Sequence, residues 1–136
     1  MKYLLDTDHC IALAKKSPAI MEALKRHPPS KVRASSITMA ELHFGAAKSK
    51  HPDTASANIR RILKTLQVVP FDDAAAESYG TIRADLERRG SQIGPLDTLI
   101  AGHAHSLGWT LVTHNTREFK RVSSLPVEDW LVGPDT

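Results

Sequence analysis

The run Lys2-Tyr3-Leu4-Leu5 is too short for a helix and ends in an apolar pair, so it reads as a buried strand. Asp6 follows at once, and a helix is expected over about 8–16. The same alternation recurs along the chain. Val32–Ser36 predicts a second strand with a helix behind it at 39–48. Gln67–Phe71 predicts a third, followed by a long helix over 73–89 whose inner stripe is Ala75, Tyr79, Ile82 and Leu86. Thr110–Thr113 predicts a fourth, with a short helical turn at 116–120, and Leu125–Val127 a fifth, at the edge. Strands alternating with helices argue for an α/β fold, a central, mostly parallel sheet with helices on both faces.

The remaining helices are marked by prolines and helical spacing. Pro18 opens one, with Ile20, Met21 and Leu24 as its apolar side, and His27-Pro28-Pro29-Ser30 breaks it. Pro52 opens another, with Ile59, Ile62, Leu63 and Leu66 on one side and Arg60, Arg61 and Lys64 on the other. A helix over 96–107 stops at Gly108.

The 136 residues suit one domain, expected to span 1–132 with a short tail at 133–136. A chain of this length buries about two-thirds of its unfolded surface and needs no staples. The single cysteine, Cys10, has no partner within the chain, and no signal-peptide pattern precedes the first strand, so a cytoplasmic setting is expected. No apolar run approaches the roughly 18 residues of a membrane span. The formal charge of +3 permits a nucleic-acid partner.

Three acids stand at starts of expected helices: Asp6, Glu41 and Asp97. In an open parallel sheet, strand C-termini and helix N-termini share one edge, so these acids can meet there. Clustered carboxylates suit a hard cation such as Mg²⁺. Each acid also has a capping reading. Asp6 or Asp8 can cap the first helix, Thr38 and Glu41 have capping-box spacing, and Asp97 suits a first helical turn after Pro95. Capping does not explain why the acids follow short apolar strands or the Gly94-Pro95 turn. A cap also treats Asp, Asn, Ser and Thr as near equivalents, whereas a metal site needs charged oxygens.

Four stretches carry a family resemblance: Leu4-Leu5-Asp6-Thr7-Asp8; Ser35-Ser36-Ile37-Thr38-Met39-Ala40-Glu41-Leu42; Ile93-Gly94-Pro95-Leu96-Asp97 with Ile100-Ala101-Gly102-His103-Ala104; and Leu111 to Phe119. Val127-Glu128-Asp129-Trp130 fits as well. Together they resemble the PIN-domain family, and within it the VapC-type toxins of toxin–antitoxin pairs. The resemblance implies a three-layer α/β/α fold and a metal-dependent endoribonuclease that blocks translation by cutting structured RNA, in the anticodon region of initiator tRNA. It implies that Asp6, Glu41 and Asp97 hold Mg²⁺ or Mn²⁺. It also implies a homodimer and a cognate antitoxin that fills the acidic groove.

The fourth family position, often aspartate, falls on Asn115, whose amide brings no charge. Asp8, where relatives often have asparagine, and Glu118 are candidates for the missing charge, each with a capping or surface reading beside it. Thr113 is placed to hydrogen-bond a ligand water. Arg117 suits a phosphate and equally suits a solvated surface. His103 shares an apolar stripe with Leu99, Ile100 and Leu107 and is expected in the core or site wall. Arg60-Arg61 and Arg88-Arg89 read as solvated faces, with Asp85 pairing to Arg89 at i, i+4.

Two other classes compete. A haloacid-dehalogenase-type phosphatase would use Asp6 as nucleophile and Asp8 beside it. Only 21 residues follow Asn115, too few for that family's later motifs, and Glu41 and Asp97 would be idle. A non-catalytic α/β binding module would have no use for three acids at one edge.

Overall fold

The computed structural model describes residues 1–131. Among them, strands β1 (Tyr3–Leu5), β2 (Val32–Ser35), β3 (Gln67–Val69), β4 (Thr110–Val112) and β5 (Val127–Glu128) form one sheet in the order β3-β2-β1-β4-β5. Every neighbouring pair is parallel, and Tyr3 lies in register with both Val32 and Thr110. The helices are α1 (Thr7–Ala14), α2 (Pro18–Arg26), α3 (Ser36–Lys48), α4 (Pro52–Thr65), α5 (Asp73–Arg88), α6 (Pro95–Leu107) and α7 (Thr116–Phe119). The tail expected at 133–136, and residue 132 before it, lie outside the described residues.

Side chains on a strand alternate between its faces, and β1 shows what this does. Tyr3 and Leu5 enter one core with Cys10, Leu13, Ile20, Ala23, Ile59 and Ile62 of α1, α2 and α4. Leu4 enters the other with Ile82, Leu86, Ile100, Ala101, Ala104 and Phe119 of α5, α6 and α7. β1 is buried on both sides, which is why its three residues read as an unbroken apolar run. Helices on both faces of one sheet make the expected three layers.

The chain lays β2 and β3 on one side of β1, then crosses to place β4 and β5 on the other. Strand order reverses between β1 and β4. A crevice opens beyond the strand ends at such a reversal, where α/β proteins bind their ligands.

Two local expectations change. α3 starts at Ser36 rather than near 39, because Ser35 Oγ accepts from the Ile37 N–H at 3.0 Å and caps the helix there. Thr38 is thus inside the helix and buried, and the Thr38–Glu41 capping box is not used. The last strand forms at Val127–Glu128, while Leu125 is drawn into the core beside α7. Gly108 ends α6 at φ 69°, a left-handed conformation that glycine adopts without strain.

Candidate metal centre

Asp6, Thr7, Asp8, Ile11, Glu41, Asp97 and Asn115 line one hollow of about 290 Å³ at the reversal point. β1 ends at Leu5, so Asp6 is the first residue past the sheet. Its N–H still donates to Val112 O at 2.9 Å, which fixes it against β4. Asp6 Oδ1 accepts from the Thr7 N–H at 2.8 Å and Oδ2 from Thr113 Oγ1 at 2.8 Å. This buried residue both caps α1 and floors the hollow. Glu41 comes from the second turn of α3 and is not a cap. Its Oε1 accepts from Thr7 Oγ1 at 3.0 Å, across 34 residues of sequence. Asp97 stands in the first turn of α6, behind Gly94 and Pro95.

These acids disturb one another. Burial pushes the Asp97 carboxyl up to about 6, and the charges of Asp6, Glu118 and Glu41 add to it. Burial likewise raises Asp6, with the bonds from Thr7 and Thr113 opposing the rise. Burial raises Glu41 too, helped by Asp6 and Asp8 and opposed by Thr7. Asp8 differs. Burial pushes it up, but the bonds and charge of the His9 ring and the backbone N–H groups of His9 and His114 outweigh that and hold it below the usual range.

Among the described residues, no three His, Cys, Asp or Glu side chains form a finished metal cage. Carboxylates that repel one another have reason to stand apart. The donor set still fits a hard divalent ion. It is all oxygen from four acids and an amide, and three of the acids are held above their normal pKa by burial and mutual charge, a cost that a cation reverses.

Further residues support the acids. Glu118, a candidate for the missing charge with a surface reading beside it, faces the site: Oε2 accepts from Asn115 Nδ2, 2.6 Å away, and its charge bears on Asp97. Its i, i+3 spacing from Asn115 on a short helix was the available signal. Asn115 lines the hollow as expected, and its N–H donates to Thr113 Oγ1 at 3.0 Å. Thr113, expected beside a ligand water, donates to Asp6.

Buried His9 lies with Nδ1 3.1 Å from Asp8 Oδ1, while Nε2 accepts the Trp130 N–H at 3.0 Å. Nε2 also lies 3.3 Å from Asp129 Oδ1. No spacing rule pointed to this link. Arg117 is exposed at the same end of the sheet. His103 packs in the core, with Nδ1 2.8 Å from Ser35 Oγ and its ring edge-on to Phe71.

The description "PIN domain" belongs to the family model that matches residues 3–125. The tRNA(fMet)-specific endonuclease VapC of Shigella flexneri is 44% identical over 130 residues, covering 96% of this chain and 98% of that protein. The ribonuclease VapC2 of Haemophilus influenzae is 39% identical over 131 residues, covering 96% and 99%. Among solved structures, the DNA-bound VapBC complex of Salmonella typhimurium superposes with a TM-score of 0.89 at 42% identity, covering 96% of this chain and 98% of the other. Motif, topology and overall likeness agree, and the chain belongs to the PIN-domain family, among its VapC members.

Proposed function

We propose that this protein is a metal-dependent endoribonuclease toxin that cuts initiator tRNA in the cytoplasm and is held silent by a cognate antitoxin. The observation that carries the reading is the meeting of Asp6, Glu41 and Asp97, from three separate segments, in one hollow where strand order reverses. The names of the relatives support the RNA substrate, and the VapBC complexes among the structural neighbours support the antitoxin. A homodimer is part of the proposal on family grounds. Among the described residues no helix is long and apolar enough to cross a membrane.

Asp6, Asp97 and Glu41 would hold Mg²⁺ or Mn²⁺, with Asp8 and the Asn115 amide at the rim. When bound, the ion supplies charge to polarise a phosphodiester and acidify a water. The protein's own groups do the rest. Thr7 and Thr113 fix both oxygens of Asp6. Thr7 also ties down Glu41 Oε1, which leaves Oε2 to orient the attacking water and take its proton. The raised pKa of Glu41 suits it to that transfer. A phosphatase reading would leave Glu41 and Asp97 without a role, although both line the hollow with Asp6.

The test is cleavage of initiator tRNA by purified protein, with the new RNA ends sequenced. Activity is expected with Mg²⁺ or Mn²⁺ and not after EDTA. Asp6→Asn and Asp97→Asn should fold and lose at least about a hundredfold in rate, the scale of one transition-state electrostatic contact. Cleavage that survives EDTA, or near-normal rates in both variants, would overturn the mechanism.

A further inference from the structure

A second groove, of about 460 Å³, opens directly off the acidic hollow. Thr7 and Glu41 line both. The groove runs between α3 and the start of α6, with Phe44 on one wall and Leu96, next to Asp97, on the other. Phe44 is 64% exposed and Leu96 45%, among the most exposed large apolar side chains described. A phenylalanine left this bare within one helical turn of a catalytic acid needs a reason.

Residues three and four apart share a helix face, so Glu41, Phe44 and Lys48 form one stripe along α3. From the hollow outward the stripe reads acid, ring, cation. Lys48 Nζ stands 4.8 Å from the centroid of the Phe44 ring. Gly45 lies beside the ring, in the middle of the helix, where glycine is a poor choice. A side chain added there would meet nothing within 4 Å, so no contact within this chain accounts for the glycine. It lines the same groove as Phe44.

We propose that Phe44 is the stacking platform for a base of the RNA next to the cleaved phosphodiester, with Lys48 holding the neighbouring phosphate. The inference rests on the ribonuclease reading above and adds a subsite to it. Aromatic rings bind the bases of single-stranded RNA by stacking, and every base has a face to offer. A nucleotide adjoining the reacting phosphate must leave the hollow along one of its walls, and the Thr7–Glu41 wall leads into the groove that Phe44 and Leu96 line. Charge favours RNA over a protein segment as the occupant. A basic peptide matched to the carboxylates would meet Lys48 at the far end with its own sign, whereas a polyanion meets a favourable charge there.

The experiment measures cleavage of initiator tRNA by the full chain with Mg²⁺ and separates KM from kcat. Phe44→Ala should raise KM about tenfold, the loss of one base stack, with kcat changed little. Phe44→Trp should restore KM, because it restores a ring. Gly45→Ala should raise KM while leaving the helix content intact by circular dichroism. Lys48→Ala should flatten the dependence of log KM on log salt by about one phosphate contact. If Phe44→Ala and Gly45→Ala cleave like the wild type but bind purified antitoxin more weakly, the groove belongs to the protein partner and the proposal is overturned. A Phe44→Trp variant as poor as Phe44→Ala would also overturn it. Wild-type protein that cleaves no RNA would remove both this inference and the reading beneath it, whereas wild-type cleavage with an unaltered Phe44→Ala removes the stacking subsite alone.

Discussion

Thr113 Oγ1 donates to Asp6 Oδ2 at 2.8 Å, joining the end of β4 to the end of β1 across 107 residues of sequence. The bond is buried, and the same hydroxyl accepts the Asn115 N–H at 3.0 Å. One threonine thus sets the direction of the acid on the hollow floor and the position of the amide at its rim.

Thr113→Val keeps the shape of the side chain and removes the hydroxyl. Asp6 loses a donor that opposes the effect of its burial. Mn²⁺ affinity should fall about tenfold, as it does when a partner that orients a metal ligand is lost, and Thr113→Ser should recover most of it. Calorimetric titration of folded variants is the measurement. Equal affinity in the valine variant would detach Thr113 from the metal centre.

Asp97 should make stability and function pull in opposite directions. Its carboxyl titrates at about 6 in the fold against a normal value of 3.8, so the fold favours the protonated form. The stability it contributes is fully present below the normal value and is lost as pH rises through about 6. In EDTA, Asp97→Asn should therefore be more stable than the wild type at pH 7, with the difference closing as pH falls toward 4. If Asp97 helps to hold the ion as proposed, excess Mg²⁺ should narrow or reverse the difference at pH 7. Chemical denaturation across this range checks both signs, and a variant less stable than the wild type at pH 7 in EDTA would contradict the repulsion argument.

Asn115→Asp replaces an amide with a carboxylate of equal length in the hollow. It removes the donor to Glu118 Oε2 and sets a further negative group among Asp97 and Glu118. Mn²⁺ should bind more tightly and Asp97 should titrate higher than in the wild type. Cleavage need not improve, since the added charge repels the substrate phosphate. Calorimetry with NMR titration of Asp97 tests this, and unchanged values for both would remove residue 115 from the metal shell.

Gly102 sits where α6 crosses α5 with backbone nearly touching backbone. A Cβ at that position would stand 2.8 Å from both N and Cα of Tyr79. Gly102→Ala should therefore destabilise the protein by about 1–3 kcal/mol, the usual cost of overpacking, despite the better helix propensity of alanine. Thermal melts should show a drop of several degrees. An unchanged midpoint would mean that the two helices separate without penalty.

The strands and most helices are legible in the sequence because β1 and β4 are buried on both faces and leave short, pure apolar runs, while α2 and α4 keep clear stripes and a proline at the first turn. Asp6, Glu41 and Asp97 are legible as a set because each follows a strand or a tight turn at the same edge. Local patterns mislead where tertiary contacts decide. Thr38 and Glu41 have capping-box spacing, yet Ser35 caps α3 and Glu41 turns to Thr7. Glu118 is legible only as one of two readings, missing charge or surface, because only the folded chain brings it near Asp97. His9 is illegible for the same reason: its partners are Asp8, next to it, and Trp130, 121 residues away.

β1 lies in the middle of the sheet, with β2 on one side and β4 on the other, and carries Asp6 at its end. A half-folded chain holds all of the acids and none of the hollow, because the floor is made by the most distant pairing in the sequence. Contacts that close long loops form late and are lost together with the fold. Nuclease activity should thus behave as all or none with respect to folding, so that a chain interrupted or partly unfolded is harmless to the cell that makes it.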